Sequence, residues 1–167
     1  MGITIHNNSA QNLDIWTSMA GPLQWNNNTP PGTSTVLDPG LVWVSVNAKV
    51  NTGSSDEIDT GTAIVSNLLP VVGFISVPAI GALVIAGMIA AKNNNIFSNT
   101  ILPDKAKEYV DAGMVKVEDG VNMNIVDISG VYGRDNDVDV WGGEVSVEVK
   151  GDYLHITGFN PLQIKER

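Results

Sequence analysis

Between Asp59 and Lys92 the chain carries no charged residue, and from Leu68 to Ala91 (LLPVVGFISVPAIGALVIAGMIAA) Ser76 is the one polar side chain. Leaving so much apolar surface in water costs about 25 cal/mol per Å². The segment therefore belongs either to the centre of the fold or to a lipid phase. Val77–Ala91 is uninterrupted and nonpolar, but as a helix it would be only about 22 Å long, short of the ~30 Å hydrocarbon core of a bilayer. Pro70, Gly73 and Pro78 disfavour one unbroken helix over the whole run. The expected form is a helical hairpin over 60–92, with Pro78 in the first turn of its second helix and Asn93-Asn94-Asn95 ending it. Ala82, Ala86 and Ala90 form a small-residue stripe beside bulky Ile80, Val84 and Met88, a face suited to close packing in a core or in lipid. If the hairpin meets lipid, Leu68, Phe74, Ile80, Val84 and Met88 are its contact candidates.

The flanking regions read as strands. Val42, Val44, Val46, Ala48 and Val50 alternate with Trp43, Ser45, Asn47 and Lys49, the period of a half-buried strand. Leu13, Ile15 and Thr17 alternate with Asp14, Trp16 and Ser18, and Ile3 and Ile5 mark a short first strand. Trp25 to Gly40, with its paired prolines, reads as a loop with at most one short strand. Asp104–Gly113 reads as a short helix. Val115 and Val117, then Val145, Val147 and Val149, return to strand periodicity, and Lys150-Gly151-Asp152-Tyr153 is a hairpin turn. The expected fold is α+β: an antiparallel β-sandwich or bent sheet with a central apolar helical hairpin and one further short helix. It forms a single domain over 1–167, with N-terminal strands in 1–50, the hairpin in 60–92, the short helix in 104–113 and C-terminal strands in 114–167.

Charge and composition narrow the function. The net charge is −9 with no basic patch, which argues against nucleic acid as a partner. The chain has no Cys, so disulfides, thiol nucleophiles and cysteine metal sites are excluded. The start MGITIHNN has neither a basic n-region nor an apolar h-region. The sequence thus predicts no secretory leader, leaving the cytoplasm or export by a non-classical route. No Gly-x-Ser-x-Gly elbow, H-E-x-x-H helix or phosphate loop is present, so no enzyme motif nominates itself.

Two clusters are candidate sites. Asp135, Asp137 and Asp139 alternate in RDNDVDVWGGE. Carboxylates in such a row suit Ca²⁺, although Val140 stands where an EF-hand loop needs glycine and Ser146 where it needs its bidentate glutamate. The competing reading is a solvated acidic edge that blocks strand aggregation; no other cofactor is expected. Trp16, Trp25, Trp43 and Trp141 are the second set. Tryptophan beside Asn, Ser and Asp fits a sugar-stacking site or a membrane-interface belt, unless a second layer covers it as core. The expected function is non-enzymatic recognition of a membrane lipid or cell-surface glycan, cytolysin-like or defence-related, with the apolar hairpin sheltered. The alternatives are a soluble, lectin-like carbohydrate-binding protein, or a structural protein that buries the apolar segment in a homo-oligomer interface.

Overall fold

The computed structural model describes residues 1–51, 73–74, 108–109, 112–118 and 122–167. Along these the strands are β1 (Ile3–Asn7), β2 (Leu13–Ser18), β3 (Pro22–Thr29), β4 (Ser34–Leu37), β5 (Trp43–Val50), β6 (Gly73–Phe74) and β7 (Val115–Val117). They continue with β8 (Asn122–Met123), β9 (Val126–Tyr132), β10 (Asn136–Trp141), β11 (Val145–Lys150), β12 (Tyr153–Phe159) and β13 (Gln163–Glu166). They form two four-stranded sheets, ordered β13-β10-β1-β4 and β3-β2-β5-β9, a three-stranded sheet β11-β12-β7, and a two-stranded ribbon of β6 with β8.

The α+β expectation is overturned. Among the described residues the only helical ones are Glu108 and Tyr109, followed by Ala112 donating to the Glu108 carbonyl at 3.1 Å. Most of the described chain is strand. The hairpin assigned to 60–92 lies outside the described residues except at Gly73 and Phe74. There the backbone is extended, with Gly73 opposite Met123 and Phe74 opposite Asn122. The pairing is also not purely antiparallel, because β1 runs parallel to β10 and β7 parallel to β12. Parallel neighbours need long crossovers, and β1 meets a strand that starts well over a hundred residues later.

The sheets share one core. Ile3, Ile5, Leu13, Ile15, Val46, Ala48, Val131, Val138 and Val140 are fully buried, and Val145, Val147, Leu154 and Ile156 of the third sheet join the same cluster. Each such side chain is worth about 1.5–3 kcal/mol on burial. The strand periodicity of β1, β2, β5, β11 and β12 was legible for that reason.

β3 and β4 occupy a stretch expected to be a loop with at most one short strand. Pro22 opens β3, where a missing donor is tolerated. Two bulges then shift β3 against β2, one between the Leu13 and Ile15 pairings and one between those of Thr17 and Ser18. Asn28 takes a positive φ of 62° at the first of these, and Asn tolerates that region. Pro30 and Pro31 then only separate β3 from β4.

The corner between β1 and β2 is held by a buried amide. Asn7 donates through Nδ2 to the carbonyls of Gln11 at 2.7 Å and Thr29 at 2.8 Å. Its Oδ1 accepts from the Ser9 amide at 3.0 Å and the Ser9 hydroxyl at 2.6 Å. Gln11, also buried, donates from Nε2 to the Gly143 carbonyl at 2.7 Å. The Gly142-Gly143 turn that receives it is crowded: a Cβ on Gly142 would sit 2.2 Å from the Pro161 oxygen, and one on Gly143 2.9 Å from Gln11 Cγ. Both glycines also have positive φ, so only Gly fits. The Asn7-Asn8-Ser9 triplet is a glycosylation acceptor in form alone, since Asn7 is fully buried with both amide hydrogens engaged.

Asn7→Ala removes the side-chain partner of the Thr29 carbonyl and of the Ser9 amide, while the Ser9 hydroxyl and the Gln11 carbonyl keep only their 3.2 Å bond to each other; each buried group stranded costs about 1–3 kcal/mol. The expected outcome in urea denaturation is a loss of at least about 2 kcal/mol with an unchanged m-value. A loss below about 0.5 kcal/mol would show that the corner does not need the amide.

Candidate functional site

The outer face of the β3-β2-β5-β9 sheet carries a polar and aromatic array. Alternation puts Val44, Val46, Ala48 and Val50 of β5 into the core and turns Trp43, Ser45, Asn47 and Lys49 outward. Register then extends the rows. Trp25 pairs with Trp16 and Trp16 with Asn47, while Ser18 pairs with Ser45 and Trp43 with Tyr132.

Trp43 is 65% exposed. Its ring lies 5.2 Å from that of Tyr132 at a 52° tilt, a favourable separation for an aromatic pair. Beside it opens a shallow cleft of about 420 Å³, lined by Ser18, Met19, Ala20, Trp43, Val44, Ser45 and Gly130. Two features shape this cleft. Ser45 and Ser129 share a hydrogen bond of 3.0 Å, and the β9 bulge places Gly130, with φ 76°, opposite the β5 end of the cleft. Asn47 donates to Ser18 Oγ at 3.0 Å and to the Trp16 carbonyl at 3.3 Å, fixing the hydroxyls along the cleft.

The four tryptophans do not form one site. Trp43 and Trp25 are exposed, the latter 39%, whereas Trp16 is buried at 6% between its neighbours on the same face. Trp141 lies on β10, in the other four-stranded sheet, and is half-buried. Sequence reasoning missed Tyr132. Its strand, VDISGVY, loses alternation at the bulge before Val131, so period-2 counting does not find it.

The acidic row lies on the outer face of the β13-β10-β1-β4 sheet, and the structure gives each carboxylate its own partner. Arg134 Nε is 3.3 Å from Asp135, His6 Nε2 is 2.7 Å from Asp137, and Arg167 Nε donates to Asp139 at 2.8 Å. Asp135 falls in the turn before the strand at φ 55°. Among the described residues no three acidic or histidine side chains come close enough to hold a metal ion. Of the lipid-contact candidates, Leu68, Ile80, Val84 and Met88 lie outside the described residues, and Phe74 is placed only as part of β6. No helix among the described residues is long and apolar enough to cross a membrane.

On the same face as the acidic row, Ser34 Oγ lies 3.2 Å from His6 Nδ1, so Ser34, His6 and Asp137 are linked in the order of a hydrolase triad. Ser34 is exposed and Asp137 is 49% exposed, so water screens the charges that a triad uses at full strength only when sheltered. A third polar group, on the β11-β12-β7 sheet, joins Lys150 to Glu118, with His155 Nδ1 3.4 Å from the same carboxylate. The hydrogen bond from Lys150 holds the Glu118 carboxyl below its ordinary value, and the same bond raises the Lys150 ammonium. Lys116 sits 4.1 Å above the Tyr153 ring. These are strand-tying contacts at the surface.

No protein-family model, curated protein or solved structure matches the chain.

The acidic row makes a pH prediction. The Arg167 hydrogen bond, more than its charge, holds the Asp139 carboxyl below the usual 3.8 against partial desolvation. A depressed folded-state value contributes stability above the ordinary carboxylate range, which is lost as pH falls through the folded value. Arg167→Gln is therefore expected to be slightly less stable than the parent at pH 7, since solvent screens so exposed a pair. The two should converge as pH falls through the lowered folded-state value of Asp139. A difference that persists undiminished below it would assign the effect to packing.

Proposed function

We propose that this is a non-enzymatic recognition protein that binds neutral glycans at cell surfaces through the outer face of the β3-β2-β5-β9 sheet. The observation that carries the reading is Trp43, which is 65% exposed, backed by Tyr132 and set at the rim of a cleft with Ser18 and Ser45. A covered aromatic ring buries roughly 150–250 Å², worth several kcal/mol at about 25 cal/mol per Å². Trp43 leaves most of that gain unused in the free protein. The C–H face of a pyranose supplies the missing cover, and the adjacent hydroxyls offer donors and acceptors to its OH groups. The net charge of −9 disfavours acidic sugars at long range.

Met19, 63% exposed on the same cleft, favours a second reading in which this rim rests on a lipid surface. Neutral liposomes separate the two, because sedimentation with lipid that depends on Trp43 supports the second. For the leading reading, a glycan array is expected to show binding to neutral glycans that falls at least tenfold in Trp43→Ala, with the melting temperature preserved since the ring is exposed. Failure of the parent to bind any glycan would end the proposal.

A further inference from the structure

We infer that the ligand of this face is an extended, neutral oligosaccharide chain that spans two aromatic platforms, not a single terminal sugar. The inference rests on the glycan reading above and specifies its ligand.

The first platform is Trp43 with Tyr132; the second is Trp25, exposed at 39% and paired directly with buried Trp16. Directly opposed residues on neighbouring strands point to the same side of a sheet. The run Trp25, Trp16, Asn47 therefore shares one face. Trp43 and Asn47 lie four residues apart on a strand with unbroken burial alternation, so Trp43 shares that face too.

The separation follows from strand geometry. Four residues along β5 cover about 13 Å, and the two strand spacings from β5 to β3 add about 10 Å at right angles. The diagonal is about 16 Å, more than a disaccharide can bridge while stacking on both rings. The ground between them is polar. Asn47 and Ser18 are hydrogen-bonded to each other, and Ser45 is bonded to Ser129, so hydroxyls and an amide lie where the middle of a sugar chain would pass. The charged residues on this face are Asp14, directly opposite Lys49, and Asp127, opposite Asn47, so the face has no excess of positive charge to hold an acidic chain. A sheet face is also wide and shallow, which suits an extended chain better than a compact branched one.

Titration calorimetry with cello- and chito-oligosaccharides, from monomer to hexamer, tests the inference. Affinity in the better series is expected to rise at least tenfold between the dimer and the length that reaches both platforms, then level off. Extra binding registers alone give only a few-fold gain. Trp25→Ala should weaken hexamer binding about tenfold and leave the dimer unchanged, whereas Trp43→Ala should weaken both. Because Trp25 stands directly opposite buried Trp16, Trp25→Leu keeps an apolar side chain there without an aromatic face and should show the same selective loss in a fully folded protein. Equal affinities for dimer and hexamer, or full hexamer affinity in Trp25→Leu, would overturn the two-platform ligand while leaving Trp43-dependent glycan binding intact. If neither series binds, the inference fails, and the array result with Trp43→Ala decides separately whether the glycan reading stands.

Discussion

Asn7 is a neutral amide with no access to solvent, and each of its polar atoms is matched to a group on a different part of the chain. Its donors close the start of β2 against the end of β3, and its acceptor folds Ser9 into the corner. Through Gln11 the same network reaches the Gly142-Gly143 turn between β10 and β11. The backbone reinforces it: the Asn7 amide donates to Thr33, Asn8 to Val140 and Ala10 to Gly142. A buried network of this kind specifies one arrangement because any partial version strands a polar group away from water. It is where the two four-stranded sheets are tied together.

The functional face depends on that tie indirectly. β2 is the strand shared by the corner and the recognition face, and it is buried along its whole length. With Ile15 and Thr17 locked beneath, Trp16 and Ser18 have fixed positions above, and Trp25 and Ser45 inherit theirs by register. Fixing the platform before a ligand arrives reduces the ordering cost of binding. The protein places its exposed aromatic surface on a regular sheet, not on long loops.

What could be read from the sequence was whatever one strand decides alone. The alternation of Val44 to Val50, the turn at Gly151-Asp152 and the outward placement of Trp43 needed only local periodicity. The pairing of β1 with β10 was not legible, because no local signal marks a partner so distant in the chain. β3 was hidden because an exposed edge strand needs no apolar alternation, and its Asn residues look like loop. The α+β expectation came from the apolar 60–91 run, whereas the described core is built from β-strands. Trp16 alternates with Ile15 as the sequence indicates, but its place between Trp25 and Asn47 depends on register. Asp137 and Asp139 alternate along β10, whereas Asp135 falls in the turn before it; their separate partners, Arg134, His6 and Arg167, come from three parts of the chain.

The claim on which the account rests is that the Asn7 corner opens only when the whole domain unfolds. Native-state hydrogen exchange in low denaturant measures this at the amides of Asn7, Asn8 and Ala10. The account predicts that all three exchange with the free energy and denaturant dependence of global unfolding, while the exposed Gly151-Asp152 turn exchanges quickly. Rapid, denaturant-independent exchange at Asn7 and Asn8 would mean that the corner frays on its own, contradicting its role as the tie between the sheets.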